Sequence, residues 1–136
     1  MQNLKEFWIN GNCISSINIS VGNLLNLLDF DASKNDLVRL PKEIGRYTKI
    51  TSLILSHNLL TEIPDVVGNL KQLQVLKLDY NCLESLPYTI GELTNLEELD
   101  VQNNQLTELP TSIGFLRQLN YFIASHNFLL TLPPGK

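Results

Sequence analysis

The chain is poor in the residues that most site chemistry needs. Its 136 residues include two cysteines, two histidines, one methionine and one tryptophan. Lysine and arginine number 10 against 14 acids, a formal net charge of −4, and no basic run occurs. That excludes the clustered positive face that nucleic acid requires. No stretch of 18 apolar residues is present, so no membrane span is expected. The opening MQNLKEFWIN lacks the apolar block of a secretory leader. The seven glycines are dispersed and never form the strand–GxGxxG–helix context of a phosphate loop. No low-complexity linker interrupts the chain.

What the chain does have is a period. Asn12, Asn35, Asn58, Asn81, Asn104 and Asn127 recur every 23 residues, each in the same apolar frame, LxxLxLxxNxLxxLPxxIGxLxx. A fixed period of this length signals stacked repeats, and the chain divides into units 4–26, 27–49, 50–72, 73–95, 96–118 and 119–136 of one array, 1–136. The frame is that of the 23-residue leucine-rich repeat. The expected fold is α/β: a right-handed solenoid with a parallel concave β-sheet and a short helical or irregular convex side. Apolar residues recur at unit positions 1, 4, 6, 11, 14, 18 and 21, as in Leu73, Leu76, Leu78, Leu83, Leu86, Ile90 and Leu93. One unit cannot bury these alone, and stacking makes them one continuous core. Where position 4 is Phe30 or Phe122, position 6 shrinks to Ala32 or Ala124, which avoids overpacking. Phe7 with Ile9 departs from that rule.

The asparagine at position 9 stands where the strand ends and the chain bends, leaving backbone groups without strand partners. A carboxamide offers both donors and an acceptor, so Asn12, Asn35, Asn58, Asn81, Asn104 and Asn127 are read as a structural ladder. Proline at position 15 (Pro41, Pro64, Pro87, Pro110, Pro133) and glycine at position 19 (Gly22, Gly45, Gly68, Gly91, Gly114) frame the convex side. Proline suits a first helical position and glycine the residue past a helix end. A short helical turn is therefore expected at PKEIG and PYTIG, closed by glycine in a left-handed conformation. The first unit has Asn18 in place of the proline; Asn18-Ile19-Ser20 is also a glycosylation triplet, read as a drifted edge position.

Catalytic readings fail on spacing. Cys13 and Cys82 share a template position three units apart, about 14 Å at a strand spacing of about 4.8 Å, beyond the roughly 7 Å a disulfide spans. Both thiols are expected free, in a reducing, cytosolic compartment. His57 and His126 are also three units apart, too far to share a zinc ion. Ser56 and His57 are sequence neighbours on an extended segment, so their side chains diverge instead of forming a nucleophile–base pair. The chain is read as a non-enzyme with no metal and no cofactor.

The residues left over are those that alternate with the core along each strand and line the concave face. Position 3 reads Glu6, Asp29, Ser52, Val75, Glu98, Tyr121; position 5 reads Trp8, Asp31, Ile54, Lys77, Asp100, Ile123; Asp79 at position 7 and Tyr80 at position 8 join them. Tryptophan and tyrosine are common interface anchors, and the acids would steer a basic partner. Glu6, Trp8, Asp29, Asp31, Ile54, Val75, Lys77, Asp79, Tyr80, Glu98, Asp100, Tyr121 and Ile123 are thus read as the partner-binding face. The expected partner is a protein with a basic or mixed basic and apolar surface, not nucleic acid. Neither end has the polar cap that terminal repeats usually carry, so a segment of a longer array is expected.

LKEFW at 4–8, FDASKN at 30–35, TNLEELD at 94–100 and FIASHNFLLTLPP at 122–134 resemble the LAP family, the leucine-rich repeat and PDZ proteins of the Erbin, Densin and Scribble kind. That resemblance implies a cytoplasmic scaffold at the basolateral plasma membrane or synapse, held at the membrane through its partners, with roles in cell polarity and receptor clustering. The alternatives are a Ras-pathway scaffold that binds a small GTPase and a phosphatase, and the recognition arm of a larger enzyme.

Overall fold

The computed structural model describes residues 4–17 and 25–130. Among them six three-residue strands form one parallel sheet: β1 (Glu6–Trp8), β2 (Asp29–Asp31), β3 (Ser52–Ile54), β4 (Val75–Lys77), β5 (Glu98–Asp100) and β6 (Tyr121–Ile123). Spatial order follows chain order, and each strand pairs in register with the residue 23 positions on, Phe7 with Phe30, Phe30 with Leu53, Leu53 with Leu76. The result is the leucine-rich-repeat solenoid. Among the described residues, its buried apolar side chains are the seven framework positions of each of the second to fifth units, and no others. Framework residues of the first and last units, Leu4, Phe7, Ile9, Ile14, Ile17, Leu119, Phe122, Ala124 and Leu129, are partly buried against that core. Phe30 and Ala32 are both fully packed, with the Phe30 ring 5.3 Å from that of Phe7 in the preceding coil.

The convex side is made of 3-10 turns, Lys42–Arg46, Asp65–Asn69, Tyr88–Glu92 and Thr111–Phe115. Their hydrogen bonds run three residues back and continue past the turn: Ile44 N–H to Pro41, Tyr47 N–H to Ile44 and Ile50 N–H to Tyr47, at 3.1 to 3.2 Å. Core positions 18, 21 and the next unit's 1 are three residues apart, the period of a 3-10 helix, so this winding keeps all three facing inward.

Two expectations about these turns are corrected. Proline is not the first helical residue but the cap before it, extended at φ −69° and ψ 147° for Pro41 and closely similar at Pro64, Pro87 and Pro110. Glycine does not close the turn in a left-handed conformation: Gly45, Gly68, Gly91 and Gly114 lie inside the turns. What excludes a side chain at three of them is the next coil. A Cβ on Gly45, Gly68 or Gly91 would stand 2.7, 2.9 or 2.6 Å from the Cβ of Val66, Thr89 or Ser112. Hydroxyls staple the same contact, Thr89 Oγ1 donating to the Asp65 carbonyl at 2.8 Å and Ser112 Oγ to that of Tyr88 at 2.6 Å.

The left-handed conformation falls elsewhere, at position 8. Lys34, His57, Tyr80, Asn103 and His126 have φ of 56° to 58°, and Gly11 has 76°. There the chain swings away from the strand while its N–H still reaches the next coil, as Lys34 N–H does to Ser56 and His57 N–H to Asp79, at 2.9 and 3.0 Å. Asn18, Gly22 and Pro133, with the glycosylation triplet, lie outside the described residues.

Candidate functional site

The asparagines set the geometry of the sheet behind the site. Asn81 Nδ2 donates to the carbonyls of Leu78 and Asp79 in its own coil, at 3.0 and 3.2 Å, and to Leu55 of the preceding coil at 3.0 Å. Its Oδ1 accepts from the Leu60 N–H at 3.0 Å. Asn35, Asn58, Asn104 and Asn127 repeat the pattern one coil at a time. Asn12 is exposed and, among the described residues, donates only within its own coil, to Ile9 and Asn10. Each strand is thereby tied to its neighbours just past its end, and the outward side chains of successive coils fall into columns.

Those columns carry the candidate residues, and their environments differ along the stack. In the first coils Glu6 and Trp8 are exposed, Trp8 at 63%, and Asp29, Asp31 and Ile54 are half-buried. Trp8, Asp29, Phe30, Asp31, Ser52 and Ile54 line a shallow concavity of about 250 Å³. In the middle, Val75 and Lys77 are half-buried, and Lys77 Nζ lies 3.5 Å from Glu98 Oε2. At the far end Tyr121 and Ile123 are 65% and 38% exposed.

The acids are not equally available. Asp79 and Asp100 are buried, at 9% and 7% exposure. Asp79 accepts from Ser56 Oγ at 2.5 Å. Asp100 accepts from the Gln102 N–H at 3.1 Å and from Gln102 Nε2 at 3.4 Å. Burial raises the Asp100 carboxyl above its ordinary range; the Gln102 hydrogen bonds and Lys77 oppose this, while Asp79 adds to it. Asp31 accepts from both the N–H and the Oγ of Ser33, at 2.9 and 2.7 Å. Position 7 thus tethers the acids at position 5, a short-range Asx-type bond that ends the strand.

Tyr80 sits on the rim beside the sheet, its ring stacked 4.4 Å from His57 at an interplanar angle of 6°. Ser56 bonds Asp79 while His57 stacks on Tyr80, so serine and imidazole are committed to different neighbours. Cys13 and Cys82 are free thiols. Among the described residues no group of three or more His, Cys, Asp and Glu side chains could hold a metal ion, and no helix is long and apolar enough to cross a membrane.

Sequence reasoning placed Tyr80 at position 8 but did not find the left-handed backbone of that column or the position-7 tethers. The rim had a signal: Gly11 and Asn103, residue types that tolerate a left-handed conformation, share its column.

A family model described as leucine rich repeat matches residues 48–106. No curated protein matches the chain. Among solved structures, a leucine-rich-repeat protein of Leptospira interrogans is 32% identical with a TM-score of 0.78, over 97% of this chain and 40% of that one. A plant peptide hormone receptor, RGFR1 in complex with RGF2, is 32% identical with a TM-score of 0.84, over 96% of this chain and 21% of that one. The ectodomain of the Arabidopsis thaliana membrane receptor kinase GASSHO1/SCHENGEN3, in complex with CASPARIAN STRIP INTEGRITY FACTOR 2, is 31% identical with a TM-score of 0.85, over 96% and 16%. The chain therefore spans well under two thirds of each of these proteins.

Proposed function

We propose, from the leucine-rich-repeat fold as premise, that this chain is a non-catalytic protein-interaction module whose concave face docks a segment of another protein. The observation that carries this reading is the line of outward residues from Trp8 to Ile123. They are held in register by the ladder, and aromatic or apolar side chains are exposed at both ends. Solenoids present extended concave surfaces of this kind to their partners. The two similar plant receptors are in complex with RGF2 and with CASPARIAN STRIP INTEGRITY FACTOR 2, which supports a peptide or protein as the occupant. The likeness of LKEFW and FIASHNFLLTLPP to the LAP family extends the proposal to a cytoplasmic scaffold at the basolateral membrane or synapse, acting in cell polarity, cortical localisation and receptor clustering.

The test is proximity labelling with the full-length gene product in a polarised epithelial cell line. We expect the labelled set to contain cortical and junctional proteins, and Trp8→Ala with Tyr121→Ser to deplete it. Tyr88→Ser with Phe115→Ser on the convex side should leave it unchanged. A set that responds only to the convex pair would overturn the docking reading; a concave-dependent set without cortical proteins would overturn the polarity assignment alone.

A further inference from the structure

Charge along the concave face is uneven, and the unevenness points to the chemistry of the occupant. At positions 3, 5 and 7 of the first three coils there are three acids, Glu6, Asp29 and Asp31, and no cation. Glu6 and Asp29 have no hydrogen-bond or ion-pair partner among the described residues, and Asp31 is tethered through one oxygen only. Further along, the acids are less available: Glu98 is paired with Lys77, and Asp79 and Asp100 are buried, at 9% and 7% exposure. The open carboxylates therefore gather at one end: Glu6 is the register partner of Asp29 on the adjoining strand, and Asp29 and Asp31 line the 250 Å³ concavity with Trp8 and Ile54. At roughly 30 Å³ per water that is space for about eight waters, enough for one long side chain.

Resting on the docking reading, we infer that this concavity receives an arginine side chain from an extended peptide segment of the partner. A guanidinium stacks on an exposed indole while its fork engages carboxylates, and it is less strongly hydrated than an ammonium. Spacing extends the inference. Successive coils are about 4.8 Å apart, so the apolar pair Ile54 and Val75 begins about 5–10 Å from Asp31 and the Tyr121–Ile123 patch lies about 19 Å away. An extended chain advances roughly 3.3 Å per residue. The occupant thus carries apolar side chains two and six positions from its arginine; the even spacing turns all three toward the face.

Panning a phage library of random twelve-residue peptides on the purified chain tests this, followed by fluorescence anisotropy of one selected peptide and its arginine-to-glutamate form. Selected peptides should share an arginine with apolar residues two and six positions away. The arginine form should bind at least tenfold tighter than the glutamate form. The double variant Glu6→Lys, Asp29→Lys should invert that preference; neither side chain holds a hydrogen bond, so folding is spared, and circular dichroism checks this. Selected peptides that depend on Tyr121 and Ile123, by Tyr121→Ser and Ile123→Ser, yet bind within twofold in either charge form would end the arginine inference and leave concave docking intact. Peptides indifferent to both pairs of changes but weakened by Tyr88→Ser would end both. Failure to enrich any peptide counts against the arginine inference.

Discussion

Replacing Asn81 by alanine gives the sharpest stability test, because its cost can be worked group by group. The substitution removes four hydrogen bonds, but most of the freed groups keep another partner. The Leu55 carbonyl still accepts from Asn58 Nδ2, Leu78 from Asn104 Nδ2 and Asp79 from the His57 N–H. The group left without a partner is the Leu60 N–H, in a residue with no exposed surface. An orphaned buried donor costs about 1–3 kcal/mol, and three weakened carbonyl bonds add about 0.5 kcal/mol each. The expected loss is about 2.5–4.5 kcal/mol. Asn12→Ala supplies the internal control: Asn12 is exposed, water replaces its donors, and the loss should stay below about 1 kcal/mol. Asn81→Asp separates shape from chemistry. It keeps the acceptor for Leu60 but sets a carboxylate against three carbonyl oxygens, so its deficit should shrink as pH falls and the carboxylate takes up a proton. Urea unfolding followed by circular dichroism measures all three. Equal midpoints for Asn81→Ala and Asn12→Ala would refute the reasoning.

Three further outcomes follow from the same geometry. Lys34→Gly should raise stability by about 1 kcal/mol, since an exposed lysine at φ 58° is relieved of left-handed strain; thermal melts decide it. Gly91→Ala should lower stability by about 2 kcal/mol, because its Cβ would meet Ser112 Cβ and the Ser112 carbonyl oxygen at 2.6 Å; Gly11→Ala, with open space around it but φ 76°, should cost only about 1 kcal/mol. Asp100 has its folded pKa raised above its ordinary 3.8. The folded state therefore holds the proton more tightly, and stability falls as pH rises from that value through the folded pKa. Asp100→Asn should gain stability over the parent at pH 7, with the gain vanishing under acid conditions where the parent carboxyl is protonated in both states.

How much of this was legible depended on what periodicity encodes. Columns of leucine report burial, and the seven framework positions of units two to five are the buried apolar set. The asparagine column reports a recurring polar need in an apolar frame, and its bonds are local enough to infer from donor count. Dihedral angles are less visible. Gly68 reads as a cap from its place after Val67, yet it is glycine because Thr89 of the next coil stands against it, a contact 21 residues away. His57 and Tyr80 hide a left-handed backbone, because a tightly bonded bend overrides their preference. The 3-10 winding was legible in principle from the three-residue spacing of Val67, Leu70 and Leu73. On the concave face the columns gave the members, but availability was set by position 7: Ser33, Ser56 and Gln102 decide which acids are engaged.

The claim that one face docks and the other does not is most directly tested by hydroxyl-radical footprinting of the chain alone and bound to a partner recovered by proximity labelling. Trp8 and Tyr121 on the concave face are 63% and 65% exposed, and Tyr88 and Phe115 on the convex side are 62% and 56% exposed, so the two pairs begin nearly equal. Binding should cut oxidation of Trp8 and Tyr121 severalfold and leave Tyr88 and Phe115 as they were; protection of Tyr88 and Phe115 with Trp8 and Tyr121 unchanged would contradict it.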